Sequence, residues 1–260
     1  MRNVTRWLGS VLAVVAALVL VHPNVHAQAG APIDSTHFWT YTIMNPVGGP
    51  FPVIVRDQFL PDTPIEVWRP VKLVNWVQKN NSPVRDTLNH FVWWDVQPKI
   101  PVGRIVEIDN QFGKYIIGVD QLDFMLVPAW KNEARPTHPE LSHYLCYRAQ
   151  GPGPNIPFSL HDEWRFDVRP VFELRYLCNP CQKIHQGQVF PPIDLNTHLA
   201  VYQLPVNSEQ FYPPVFDQFG QMQYVVSQRT PEWLFVPSQK REVPTDSKRQ
   251  SWGRIKTLYR

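Results

Sequence analysis

The 260-residue sequence contains no G-x-S-x-G elbow, no H-E-x-x-H pair, no glycine-rich phosphate loop and no zinc-deaminase signature. Each of those motifs fixes a nucleophile, a metal or a phosphate cradle at a set spacing, so no reaction built on them can be read from the chain. A dominant charge is missing too, with 25 Lys and Arg against 22 Asp and Glu. Without residues 1–27, which hold Arg2 and Arg6 and no acid, the balance is 23 to 22, a net +1. No nucleic-acid partner is expected on that ground. What the chain has in surplus is proline, with 27, and aromatic residues, with Trp 10, Tyr 9 and Phe 14. Proline breaks helix interiors and aromatics suit pleated, half-buried surfaces, so the composition predicts an all-β fold.

The first residues form a unit of their own. Arg2 and Arg6 precede an uncharged apolar stretch from Trp7 to Val21, followed by Val25-His26-Ala27 and Gln28. The stretch is shorter than the roughly 20 residues a spanning helix needs, and small residues flank its exit. This order predicts a signal peptide over 1–27, cleaved after Ala27, and a secreted or periplasmic protein; an uncleaved anchor is the alternative. At the other end, Lys240 to Arg260 holds seven basic residues and two acids. The segment 241–260 is thus a basic tail, either a solvated end or an arm for an anionic surface.

Between the two ends the chain repeats itself. His37-Phe38-Trp39-Thr40-Tyr41, Asp57-Gln58-Phe59 and Leu73-Val74-Asn75-Trp76-Val77-Gln78-Lys79 open, turn and close a first segment over 37–80. The same landmarks recur over 90–132, 143–185 and 198–240, opened by His90, His143 and His198 and closed by Lys131, Lys183 and Lys240. The corner positions are Asn110, Asp162 and Asp217, and the histidines lie 53, 53 and 55 residues apart. A fixed period of this size means one supersecondary unit per copy. Runs such as Pro52-Val53-Ile54-Val55-Arg56 alternate apolar and polar residues, giving about three strands per copy. Four tandem β-rich repeats of about 53 residues would then form a propeller-like ring or two paired β domains.

Two positions vary together. Where the third copy has Cys146 and Cys178, the others have Thr40 and Val74, Trp93 and Leu126, and Val201 and Phe235. The economical reading is that the two positions touch in every copy, bridged once and packed three times. The pattern H-[FY]-x-C-Y, D-Q-F, L-C-x-P-x-x-K resembles a family of secreted tandem repeats of unknown function. The resemblance spans about 37–240 and is closest in the third copy. It implies an extracellular or periplasmic setting and a disulfide carried onto Cys146 and Cys178, and it brings no activity or ligand.

Other chemistry stays open beside that reading. Cys178-Asn179-Pro180-Cys181 is a C-x-x-C, followed by His185, so thiol exchange, half a zinc site or a different pairing each compete with a structural bridge. His161-Asp162-Glu163 is a dense ionisable cluster, and with Cys181 and His185 it would form the site of an exported hydrolase or metal-dependent enzyme in the third copy. The opening histidines could meet on an axis and bind a divalent metal, although recurring residues, such as the four His, the four Lys and, in three copies, Asp57, Asp162 and Asp217, are better explained by the fold. No cofactor is implied. The nine tryptophans beyond residue 27 exceed what small β units need, and exposed tryptophans stack on sugars or anchor partners. The expectation is therefore a non-catalytic binding or scaffold module, with carbohydrate or protein as ligand.

Overall fold

Short alternating runs rich in Val, Ile and aromatics build strands throughout the computed structural model. It describes residues 36–44, 46–80, 82, 89–131, 141–206, 210–211, 214–223, 225–227 and 232–243. The expected signal peptide, the tail beyond Val243 and most of the linkers 81–89 and 133–142 lie outside the described residues. The first segment supplies β1 (His37–Met44), β2 (Phe51–Arg56) and β3 (Thr63–Lys79). The second supplies β4 (Asn89–Gln97), β5 (Pro101–Asn110) and β6 (Gly113–Lys131). The third supplies β7 (His143–Gly151), β8 (Pro157–His161), β9 (Phe166–Pro170), β10 (Leu174–His185) and β11 (Gln188–Phe190). The fourth supplies β12 (His198–Leu204), β13 (Gln210–Phe211), β14 (Pro214–Asp217), β15 (Gly220–Gln223), β16 (Val225–Ser227) and β17 (Glu232–Glu242). Among the described residues there is no helix.

Every ladder is antiparallel, and eight of them form a closed circuit. β1 pairs β3, β3 pairs β4, β4 pairs β6, β6 pairs β7, β7 pairs β10, β10 pairs β12, β12 pairs β17, and β17 returns to β1. Neighbouring segments therefore share one sheet, rather than standing as separate blades or as two paired domains. Closure removes the free edges that an open sheet of this size would expose.

Alternation sorts the ring's side chains onto two faces. Phe38, Phe91, Trp93, Tyr144, Cys146, Val201 and Phe235 belong to one buried cluster, and Trp39, Tyr41, Trp94, Leu145, Tyr147 and Tyr202 to another. Trp93 on β4 lies 5.5 Å from Tyr176 on β10 and 6.3 Å from Trp233 on β17, ring centre to ring centre. Each partner is three strands away along the circuit, roughly 14 Å at about 4.8 Å per strand. Only a contact across the middle of the ring can be that short, so the first cluster fills the interior.

The second cluster is covered by arms. The β3, β6 and β10 ladders shift register near Pro70, Leu122 and Leu174, and such irregularities bend a strand. The bend lets one end of β3 or β6 join the ring while the other pairs with an arm strand. The arms do not stay at home: β2 pairs on with β10, β5 with β17, β8 with β3 and β14 with β6. First and third segments thus exchange arms, as do second and fourth.

Candidate functional site: four corners and an exposed tryptophan groove

The corner residues lock the exchanged arms. Asp57 uses Oδ1 to accept from the backbone N–H of Phe59 and Leu60, both at 2.8 Å, and this closes its own turn. Its Oδ2 accepts from Tyr147 Oη at 2.8 Å and Asn179 Nδ2 at 3.0 Å, two segments away. Asp162 repeats the arrangement: Oδ1 takes the N–H of Trp164 and Arg165, and Oδ2 takes Trp39 Nε1, Tyr41 Oη and Asn75 Nδ2 at 2.7, 2.5 and 2.6 Å. Asp217 takes the N–H of Phe219 on Oδ1 and Trp94 Nε1 on Oδ2, at 2.8 and 2.9 Å. Asn110 fills the fourth corner and donates to Tyr202 Oη and Ser238 Oγ, each at 3.0 Å. Burial pushes the Asp57 carboxyl up from its usual range and lifts that of Asp217 to about 6.

The recurring lysines and histidines serve the same corners. Lys240 lies 4.0 Å from the Phe59 ring, Lys79 5.6 Å from Phe112, Lys131 4.2 Å from Trp164 and Lys183 5.0 Å from Phe219. Each ammonium thus sits against the corner aromatic of the next segment. Lys131 and Lys240 also donate to Asn75 Oδ1 and Asn179 Oδ1 at 2.9 Å, and Lys131 pairs with Glu163. Lys183 is fully buried and its ammonium makes no hydrogen bond among the described residues. Burial lowers Lys131 and Lys183 to about 7, and Lys79 and Lys240 to about 8. His37 meets Gln111, and His198 lies 3.3 Å from Gln58. Burial pushes His90, His143 and His198 down, which leaves them neutral near pH 7. The histidines are held one by one, and among the described residues no three His, Cys, Asp or Glu side chains are grouped to hold a metal.

The covarying positions do touch. Cys146 faces Cys178, Thr40 faces Val74, Trp93 faces Leu126 and Val201 faces Phe235 in their ladders, and Cys146 and Cys178 form a disulfide. Cys181 is a buried free thiol whose pKa burial pushes up. With Cys178 bonded elsewhere, the C-x-x-C is not a dithiol pair. The remaining members of the third-segment cluster are held by separate neighbours. Glu163 pairs with Lys131, His161 packs its ring near Phe166, and His185 contacts the Pro52 carbonyl, Phe51 and Phe219. Asp162 is spent on its corner. What sequence reading missed is the set of side chains that meet the corners: Tyr41, Trp94 and Tyr147 donate and Tyr202 accepts, each four residues after an opening histidine, and that recurrence was the available signal.

On the surface, the β2–β3 arm offers a different feature. Along β3, Ile65 and Val67 point inward and Glu66 and Trp68 outward. Trp68 is 45 % exposed, whereas Trp39 and Trp94 are at 0 % and Trp93 at 6 %. Opposite Glu66 stand Pro52 on β2 and Gln97 on β4, and Ile184 on β10 stands opposite Ile54. Together with Trp68, Pro64 and Gln186 these residues line an open groove of about 830 Å³. Trp68 Nε1 donates to Glu66 Oε2 at 3.1 Å, which orients the indole. Gly49, at φ +70°, lies so close behind that a Cβ there would come within 1.9 Å of the Trp68 carbonyl oxygen, so only glycine fits. Across the groove, Gln186 and Gly187 form a two-residue turn with φ of 50° and 77°, linking paired His185 and Gln188.

A family model described as a repeat of unknown function (DUF7450) matches residues 88–237, more than half of the chain. The chain belongs to that family. The matched DUF7450 region contains the disulfide, the Asn110, Asp162 and Asp217 corners, and Gln97, Ile184 and Gln186 of the groove; Trp68 and Glu66 lie outside it. No curated protein and no solved structure matches the chain.

Proposed function

We propose that the chain is an exported, non-catalytic binding or scaffold module of the cell envelope or extracellular space, with carbohydrate or protein as its ligand. In this reading, four copies of one repeat, over 37–80, 90–132, 143–185 and 198–240, follow a signal peptide removed after Ala27. The tail 241–260 lies against an anionic surface. The fourfold recurrence of corner, lysine and paired-position contacts supports the repeat count. The Cys146–Cys178 bridge suits an oxidising compartment. The observation that carries the reading is the groove around Trp68: a large indole held at the surface, where stacking on a ligand would repay its exposure.

The test compares residues 28–260 with the same chain carrying Trp68→Ala. Both are immobilised and challenged with polysaccharide and protein fractions of the envelope and medium of the producing cell. A fraction held by the parent and released by the variant is expected; equal retention by both would sink the proposal. Intact mass of the native protein checks the export step, with a chain starting at Gln28 as the expected result.

A further inference from the structure

We infer that the Trp68 groove is a saccharide subsite for neutral pyranose units of an extended glycan; this rests on the binding-module reading above. The argument starts from what its polar groups lack. Glu66 uses one oxygen on the Trp68 indole, and its Oε1 makes no hydrogen bond with the described residues. The carboxamides of Gln97 and Gln186 likewise have no partner among the described residues, although both line the groove. A carboxamide donates and accepts, and a carboxylate accepts, so the three together match the hydroxyls of a sugar, each of which does both. An indole face beside them matches the C–H face that a pyranose with equatorial hydroxyls presents.

Register fixes how these groups are spaced. Pro52, Glu66 and Gln97 form a row across β2, β3 and β4. Gln186 continues it from the β10–β11 turn, two residues beyond the Ile184–Ile54 pair. The three spacings between these four strands, at about 4.8 Å each, span roughly 14 Å, a length suited to two or three linked sugars rather than one. Trp68 stands two residues from Glu66 on the same face, so one unit can stack while its neighbours reach the carboxamides. Prolines 52 and 64 and Ile54 make a floor that offers no donor side chain, which leaves hydrogen bonding to the three polar groups. Of the twelve lining residues only Glu66 is ionisable, and it is an acid. A uronate or sulfated sugar would meet an uncompensated carboxylate, and a neutral one would not.

The experiment titrates the 28–260 chain with a panel of neutral oligosaccharides (cello-, xylo-, chito- and β-1,3-gluco-hexaoses) and, as anionic counterparts, oligogalacturonate and heparin. Binding is read by calorimetry, on the parent and on Trp68→Ala and Glu66→Gln. Expected are binding of at least one neutral hexaose, a loss of tenfold or more in affinity with Trp68→Ala, and about three- to tenfold with Glu66→Gln. Unchanged melting curves show that the folds are intact, as the exposure of both side chains leads one to expect. Neutral-sugar binding that survives Trp68→Ala overturns the inference, because the site is then elsewhere. Salt-sensitive binding of the anionic glycans alone overturns it also and points to the basic tail. If no panel member binds while Trp68-dependent capture of a protein persists, the inference fails and the binding-module reading stands. If nothing is captured through Trp68, both fail.

Discussion

At the Asp162 corner, one carboxylate oxygen receives three side chains, from Trp39, Tyr41 and Asn75; at the Asp217 corner the corresponding oxygen receives, among the described residues, Trp94 alone. The neighbouring lysines differ in step. Lys131 has the Asn75 carboxamide and Glu163, and Lys183, at the matching place, has no hydrogen bond among the described residues. The cause is a substitution: Asn75 and Asn179 in the first and third segments are replaced by Val127 and Val236 in the second and fourth. One amide bridges corner acid to lysine, and without it both charges are buried with less to satisfy them. The corner contacts thus recur while their polar satisfaction differs, so the two exchanged pairs of arms should differ in strength.

Deleting the two acids gives the largest separation. Asp162→Ala leaves three buried side-chain donors and two backbone N–H groups without an acceptor. At about 1–3 kcal/mol for each unsatisfied group, partly relieved by water, the loss should be upward of about 4 kcal/mol. Asp217→Ala strands one indole and one backbone N–H, for about 1–3 kcal/mol. Urea unfolding of both variants checks this; equal losses would show that the third-corner network is worth no more than a single bond. Next comes the bridge beside the stronger side. Closing a 32-residue separation, the Cys146–Cys178 disulfide should contribute about 3–4 kcal/mol by the chain-entropy relation. Cys146→Val with Cys178→Phe, which copies the fourth segment's Val201 and Phe235, should lose that much in urea midpoint, and a loss below about 1 kcal/mol would show that packing alone holds the pair.

The pH arm reads the Asp217 corner by itself. Asp217 has its folded pKa raised to about 6 from 3.8, so its native state favours the proton. Its contribution is fully present below about pH 4 and is lost as pH rises through 6. Lys183 runs the other way: lowered to about 7, it contributes fully above its unfolded value of 10.5 and loses that contribution as pH falls through 7. Relative to the parent, Asp217→Asn should therefore gain about 1–3 kcal/mol between pH 4 and 6.5, and Lys183→Met should gain by a similar amount between pH 9 and 6.5. Unfolding midpoints across pH 4–9 check both, and parallel curves for parent and variants would show that neither group couples its proton to folding.

How far the sequence reaches is clear from these same residues. The contact between the positions of Cys146 and Cys178 was legible because both ends change together in all four segments. The aspartates were legible as corners, since each is followed by an aromatic in a turn. Their destinations were not, because alternation says which face a residue takes and is silent on which strand, two segments away, it will meet. Ring closure depends on β17 reaching β1 across about two hundred residues, which no local pattern encodes. At the groove, Glu66 and Trp68 are visible as the outward positions of an alternating run. Gln97 and Gln186 join them only through the β3–β4 and β2–β10 ladders, so the surplus of tryptophan suggested a binding face without locating it.

The smallest effect is also the most direct test of what the missing amide does. Val127 stands where Asn75 stands one segment earlier, with the Asp217 corner and Lys183 in the places of Asp162 and Lys131. An asparagine in a buried apolar position ordinarily costs several kcal/mol, because its amide finds no partners. Val127→Asn should change stability by less than about 1 kcal/mol at pH 7, since Oδ1 can accept from Lys183 and Nδ2 can donate to Asp217, giving two bonds of about 1 kcal/mol each against the lost apolar burial. Val67 provides the contrast: buried in the same cluster and facing only Phe51 and Val96 in its ladders, Val67→Asn should lose about 2–4 kcal/mol. If Val127→Asn behaved like Val67→Asn, the alternation of amide and valine would be a matter of packing. If it is tolerated and the alkaline limb attributed to Lys183 flattens with it, the missing carboxamide is what leaves that lysine unsatisfied.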